Sequence, residues 1–147
     1  ACRIAAVVAE SGETQEMALD AYGRNLGIAF QLVDDAIDYV SDGATMGKDI
    51  GDDFRDGKVT LPVILAYSRG SAEEKKFWHE AMLGNRVSDD DLVHATSLLR
   101  AHDAIDDTIE RARHYGQRAI DSIAHFPGGE AKAALIEAVE FAIARAY

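Results

Sequence analysis

Apolar residues recur along this chain at steps of three and four. Leu19, Tyr22, Leu26, Phe30, Val33 and Ile37 lie on one stripe and predict a long helix over 14–40. Before it, the alanine-rich run 1–10 predicts a helix suited to close packing, closed by Ser11-Gly12. After it, 49–56 predicts a short helical turn, and 60–68 a helix with Pro62 in the first turn, where proline is tolerated. Ser71 with Glu74 forms a capping box for a helix carrying Phe77, Trp78, Ala81 and Met82. Ser88 opens another, with Asp89, Asp90 and Asp91 in its first turn, where acids suit the helix dipole. Ile105, Ile109, Ala112, Tyr115, Ala119, Ile120 and Ile123 predict a helix from His102-Asp103 to about Ala124. Pro127-Gly128-Gly129 breaks it, and Ala134, Leu135, Ala138, Val139 and Ile143 predict a last helix over 130–146. No stretch alternates with the period of two that a strand requires, so the class is all-α, a bundle with short loops.

The polar face of the long helix is the unusual one. At about 100° per residue, Asp34, Asp38, Gln31 and Asp35 fall within an arc of roughly 100°. Like charges three and four apart repel. Ser41-Asp42-Gly43 predicts the helix end near Val40, so the acids lie where the dipole already favours cations. A counter-charge is expected there. Hard divalent cations take carboxylate oxygens, keep several waters and share phosphate oxygens. A solvated acidic helix end is the alternative on spacing alone. Gly23 and Gly27 project onto the same arc, either leaving a hollow beside the acids or allowing close packing of another helix.

The segment that follows is charged and punctuated by glycine. It contains Gly47-Lys48 and Gly57-Lys58, and lysine is a compact cation suited to phosphate. Acids at a helix end followed by two lysines on bendable backbone suit a metal–diphosphate group, although either lysine alone would read as an ordinary surface residue.

Composition narrows the field. The 147 residues are enough for one domain, with 48% hydrophobic and 28% charged residues and a formal charge of −11. That charge disfavours nucleic acid and anionic membrane surfaces as partners of the bulk surface. The single cysteine, Cys2, precludes an intrachain disulfide and fits a reducing, cytoplasmic setting. No apolar run reaches membrane-spanning length. The opening residues read as the middle of a helix, which suggests a piece of a longer chain. His79-Glu80 lacks the second histidine of a zinc-protease motif, Phe54 spoils an EF-hand loop, and no P-loop or GxGxxG is present.

Three separate pieces match one family in order and spacing. Phe30-Gln31-Leu32-Val33-Asp34-Asp35-Ala36-Ile37-Asp38-Tyr39, then Gly47-Lys48, then Gly57-Lys58-Val59-Thr60-Leu61-Pro62 resemble the second aspartate-rich region of trans-isoprenyl diphosphate synthases. Tyr22-Gly23-Arg24-Asn25-Leu26-Gly27 upstream is similar too, and Gly47-Lys48-Asp49-Ile50-Gly51-Asp52-Asp53 looks most like the branch that makes long prenyl tails for quinones.

The resemblance implies an isoprenoid-synthase-type helical bundle, of which 1–147 would be the C-terminal half of a single domain. The first aspartate-rich motif would lie upstream of Ala1. It implies that Asp34, Asp35 and Asp38 hold Mg²⁺ on an allylic diphosphate, that Lys48 and Lys58 contact that diphosphate, and that Gln31, Phe30 and Gly27 line the adjoining cavity, with Asp52 a supporting acceptor. The implied reaction adds isopentenyl diphosphate to the allylic diphosphate in trans, in a protein that is a homodimer at full length. The chain alone would then be inactive, with exposed apolar faces where the other half packs. Two alternatives are a terpene-cyclase or squalene-synthase relative, which Gly57-Lys58-Val59-Thr60-Leu61-Pro62 argues against, and a non-catalytic subunit of a heteromeric synthase.

Overall fold

The computed structural model describes residues 1–40, 51–84 and 87–146. They form eight helices: α1 Cys2–Val8, α2 Glu13–Ile37, α3 Asp52–Arg55, α4 Leu61–Arg69, α5 Ala72–Leu83, α6 Asp89–Ala101, α7 Ala104–Ser122 and α8 Glu130–Ala144. Among the described residues there is no strand. The predicted helices are all present. The chief shift is at the end of α2, which stops at Ile37 and not near Val40. There the backbone tightens: Tyr39 N–H donates to the Ala36 carbonyl and Val40 N–H to that of Ile37. The Asp38 carbonyl turns outward and accepts Gly51 N–H at 2.9 Å. The predicted stop at Ser41-Asp42-Gly43 lies outside the described residues.

The chain divides into two compact units, Ala1–Val33 with Glu110–Tyr147, and Asp34–Ile109. In the first, Tyr22, Ala119, Ile123 and Val139 form the buried core, flanked by Leu19, Leu26, Leu135 and Ile143. The Tyr22 phenol donates to the Leu135 carbonyl at 2.8 Å, which satisfies the one polar atom this core ring carries. Gly116 lets α7 approach α8: a Cβ there would meet Ile143 Cδ1 at 2.3 Å. Gly23 settles its two readings in favour of packing, because a Cβ would sit 3.0 Å from both Cβ and Sγ of Cys2. Several large apolar side chains of this unit stand in solvent: Ile4, Val7 and Val8 on α1 and Phe141 on α8.

In the second unit α4, α5 and α6 pack on one another. Phe54 and Trp78 are buried at its centre, edge to face with centroids 6.1 Å apart. The predicted capping box of Ser71 with Glu74 forms, and Ser88, expected to open α6, forms a second one with Asp91. Arg69 fixes the end of α4 to the turn between α6 and α7, donating to the His102 carbonyl at 2.6 Å and to the Asp107 carboxylate.

Candidate functional site: the end of α2 and the segment that folds onto it

Asp34, Asp35 and Asp38 come at the end of a helix whose apolar stripe fixes its rotation. Val33 and Ala36 are fully buried, so Asp34 and Asp38, four apart, are turned to the opposite side and are half-buried. Asp35, about 100° round the helix from Asp34, is buried at 8% exposure. The three acids therefore do not present as one open cluster. Among the described residues no three His, Cys, Asp or Glu side chains converge as a metal-binding group.

The charge of Asp38 has a partner in the main chain. Its Oδ2 accepts Asp53 N–H at 3.1 Å, while its carbonyl holds Gly51 N–H. Asp53 lies in the first turn of α3, where main-chain N–H groups lack helical acceptors. Gly51 precedes α3 at φ 78°, a conformation glycine adopts without steric cost, and a Cβ there would collide with Leu92. Part of the counter-charge expected for the acidic helix end is thus supplied by backbone donors.

Asp53 carries the link onward. Its carboxylate receives the Lys58 ammonium at 2.7 Å, and its carbonyl accepts Lys58 N–H at 2.9 Å. Asp56 also approaches the ammonium, at 3.3 Å. The hydrogen bonds that Lys58 donates to Asp53, then to Asp56, raise its pKa, so the ammonium stays charged. Lys58 remains more than half exposed, and an ammonium has three donors, so it can keep Asp53 and still reach a ligand oxygen. Of the residues singled out from sequence, Asp34, Asp35, Asp38 and Lys58 fall in this unit. Lys48 lies outside the described residues. Asp52, expected as a supporting acceptor, has an exposed side chain; the main-chain N–H that Asp38 accepts and the carboxylate that Lys58 reaches both belong to Asp53. The adjacent pair Asp52-Asp53 was the available signal, and helical phase decides between its members.

Gln31, Phe30 and Gly27 belong to the preceding part of α2. Gln31 is exposed, and Gly27 has no described atom within 4 Å of where a Cβ would stand, so it keeps the open space that Gly23 lacks. Phe30 is 43% exposed, with the Arg145 guanidinium over its ring at 4.6 Å from the centroid. A separate cleft of about 420 Å³ is lined by Arg3, Glu16, Asp20, Arg24 and Arg118 among others. Its cations are largely neutralised within the cleft, by Arg3–Glu16 and Arg24–Asp20 pairs.

Oxygen donors at a helix end, with a lysine tethered nearby, are hard-cation and phosphate chemistry. A family model described as polyprenyl synthetase matches residues 1–99. The chain belongs to that family. Among polyprenyl synthetases it is 39% identical over 145 residues to the octaprenyl diphosphate synthase of Haemophilus influenzae, an alignment covering 97% of this chain and 43% of that protein. It is 36% identical to the decaprenyl-diphosphate synthase subunit 1 of Schizosaccharomyces pombe, across 98% of this chain and 37% of that one. Its fold is similar to that of a decaprenyl diphosphate synthase from Rhodobacter capsulatus, with a TM-score of 0.90 at 33% identity, covering 99% of this chain and 45% of that chain. It is similar also to a polyprenyl synthase from Caulobacter crescentus complexed with calcium and isoprenyl diphosphate, at 0.88 and 39%. The chain spans less than half the length of these relatives.

The donor set fits a hard divalent cation on one condition. With Asp35 buried and no three-carboxylate group formed among the described residues, those residues offer Asp34 and Asp38 at the half-buried face. Magnesium binds in that manner, completing its octahedron with water and substrate phosphate.

Proposed function

We propose that this chain is the C-terminal half of a single all-α domain of a trans-polyprenyl diphosphate synthase, and that its α2 end and α3–α4 segment bind the diphosphate of an allylic substrate with Mg²⁺. The observation that carries the reading is the chain of bonds Asp38–Asp53–Lys58, which holds a carboxylate of the helix end and a cation from the next segment in one fixed relation. Asp34 and Asp38 would hold the metal from one helix face, with Asp35 behind them; Lys58, and Lys48 from its own glycine-preceded position, would donate to phosphate oxygens. Gln31, Phe30 and Gly27, one to two turns earlier, would border the prenyl group. When bound, Mg²⁺ would neutralise charge on the departing diphosphate. Lys58 contributes to the same end by donating to an oxygen that becomes more negative as the carbon–oxygen bond breaks. The allylic carbon would then be attacked by the double bond of isopentenyl diphosphate, the new cation would lose a proton to the released diphosphate to restore a double bond, and the whole protein, as a homodimer, would make a quinone side-chain precursor. The naming of the Schizosaccharomyces pombe relative as a subunit favours a second arrangement, in which such a chain works beside a distinct partner; pull-down of a different chain would support it.

Titration of the chain with inorganic diphosphate, followed by ³¹P NMR, tests the site. Binding is expected only with Mg²⁺ and is expected to be lost in Asp34→Asn/Asp38→Asn. Binding that ignores both Mg²⁺ and those substitutions would refute the reading. With isopentenyl diphosphate, an allylic primer and Mg²⁺, the chain alone should form no product while its longer parent should; product from the chain alone would refute the half-domain assignment.

A further inference from the structure

The cleft of about 420 Å³ in the first unit has a size suited to a small molecule and uses none of the residues placed in the diphosphate site. Six charged side chains line it: Arg3 from α1, Glu13, Glu16, Asp20 and Arg24 from α2, and Arg118 from α7. Arg3 directs both Nε and Nη2 to Glu16 Oε1, at 2.8 and 2.7 Å. Arg24 donates from Nη2 to Asp20 at 2.7 Å, which fixes the guanidinium and leaves its Nε and Nη1 uncommitted among the described residues. Four of the six charges thus cancel in pairs. Of the other two, Glu13 lies in the first turn of α2, where the helix dipole answers a negative charge. Arg118 has no carboxylate partner among the described residues. Its guanidinium stands over the Tyr115 ring, 5.8 Å from the centroid and one turn back on the same helix.

Asn25 lines the same cleft and is 7% exposed. Its carboxamide makes no hydrogen bond with any described residue, although burying an amide without a partner costs free energy. Ala21, one turn earlier, also lines the cleft and is too small to cover the amide. Asp20 and Arg24 precede Ala21 and Asn25 by one residue each, so the amide stands beside the Asp20–Arg24 pair. A buried donor without a partner and a cation without a counter-charge therefore border one cavity. Together with the free edge of Arg24, they offer more N–H groups than the two oxygens of a carboxylate take up, and they suit the oxygens of a phosphate.

We propose that this cleft binds a phosphate-bearing small molecule without a metal ion, with Arg118 and Asn25 donating to the phosphate and Arg24 held ready beside them by Asp20. The site is separate from the α2 end and does not depend on the diphosphate reading.

The test uses inorganic phosphate as the probe, followed by ³¹P NMR. The 147-residue chain carries Asp34→Asn/Asp38→Asn and the buffer contains EDTA, so that the aspartates contribute nothing. Phosphate should bind at low ionic strength and weaken as salt is added. Arg118 is exposed, so its variants keep the fold. Arg118→Ala should weaken phosphate about tenfold, and Arg118→Lys should recover little, since lysine lacks the fork. Asp20→Asn should tighten binding about threefold, because it frees Arg24 and removes a negative charge. Asn25→Leu should weaken binding about fivefold, yet unfold in urea at or above the midpoint of its parent, because the amide it removes has no partner in the fold. Acetate at equal concentration should not displace phosphate. Absence of phosphate binding overturns the proposal, as does binding that ignores Arg118→Ala or yields equally to acetate. A lowered midpoint in Asn25→Leu with unchanged phosphate affinity overturns it too, because the amide would then serve the fold. Mg²⁺-dependent diphosphate binding by the wild-type chain bears on the α2 end alone, so either site can fail without the other.

Discussion

Asp38 Oδ2 accepts the Asp53 main-chain N–H at 3.1 Å, across fifteen residues of sequence. That single contact joins a carboxylate at the electron-rich end of α2 to a donor-rich first turn, so each element relieves the other. Truncation and charge removal should therefore separate. Asp38→Ala leaves Asp53 N–H without its acceptor and is expected to cost about 1.5–3 kcal/mol, the range for a hydrogen bond to a charged group. Asp38→Asn keeps an acceptor oxygen and should unfold close to wild type in urea, yet lose about tenfold in Mn²⁺ affinity with the charge. Equal stability losses in the two variants would mean that the contact is electrostatic with no geometric part.

Two glycines on this path should respond in opposite directions. Gly51 sits at φ 78°, and a Cβ there would lie 2.3 Å from Leu92 Cδ1. Gly51→Ala combines left-handed strain with displacement of a buried leucine, so a loss of about 2 kcal/mol or more is expected, read as a lowered urea midpoint. Gly27 is in the interior of α2, with no atom of the described residues in contact with a Cβ placed there. Gly27→Ala should stabilise the chain by about 0.5–1 kcal/mol through helix propensity alone. A loss there would reveal a neighbour close to that face.

Arg69 offers a prediction outside the site. Its guanidinium serves the His102 carbonyl and the Asp107 carboxylate together, a fork that lysine cannot reproduce. Arg69→Lys is expected to recover less than half of the stability lost in Arg69→Ala, a loss of about 1–2 kcal/mol for an exposed, charge-assisted pair of bonds. Full rescue by lysine would show that charge, not shape, carries this tie.

The helices were legible because their causes are local. Apolar spacing, the Ser71–Glu74 capping box, the Ser88 cap and the breaks at Ser11-Gly12 and Pro127-Gly128-Gly129 are written within a few residues, and each forms as spaced. The acids of α2 were legible as an oddity, since no local rule places three aspartates at a helix C-terminus. What sequence did not reveal is what answers them. That Asp53 and not Asp52 meets Asp38 depends on the phase of a four-residue helix, set by the burial of Phe54 and the turn at Gly51. That Thr60, at the N-cap of α4, makes no side-chain cap bond is not written in its neighbours either. Gly23 and Gly27 read alike in sequence, and only the presence of Cys2 beside the first distinguishes them.

Tyr39 also makes the fold sensitive to alkali. Burial pushes its phenol well above the ordinary tyrosine value, with the nearby carboxylates of Asp38, Asp53 and Asp35 adding to the effect and Thr60 opposing it. The folded state thus binds this proton more tightly than the unfolded chain, whose tyrosine titrates near about 10. Below that pH both states are neutral and the group's contribution is fully present. Above it the unfolded chain gains by ionising while the folded one does not, and stability falls by up to about 1.4 kcal/mol per pH unit until the folded phenol also ionises. In Tyr39→Phe this slope is absent. Urea midpoints measured from pH 9 to 11, referenced to Tyr39→Phe at each pH, should diverge only above about 10. The opposite sign holds in acid. Main-chain donation from Ser71 lowers the Glu74 pKa, and hydrogen bonds from Ser88 lower that of Asp91, so their contribution is present above the usual carboxylate range and is lost as pH falls through it. Parallel curves for wild type and Tyr39→Phe above pH 10 would show that the phenol reaches solvent in the folded protein.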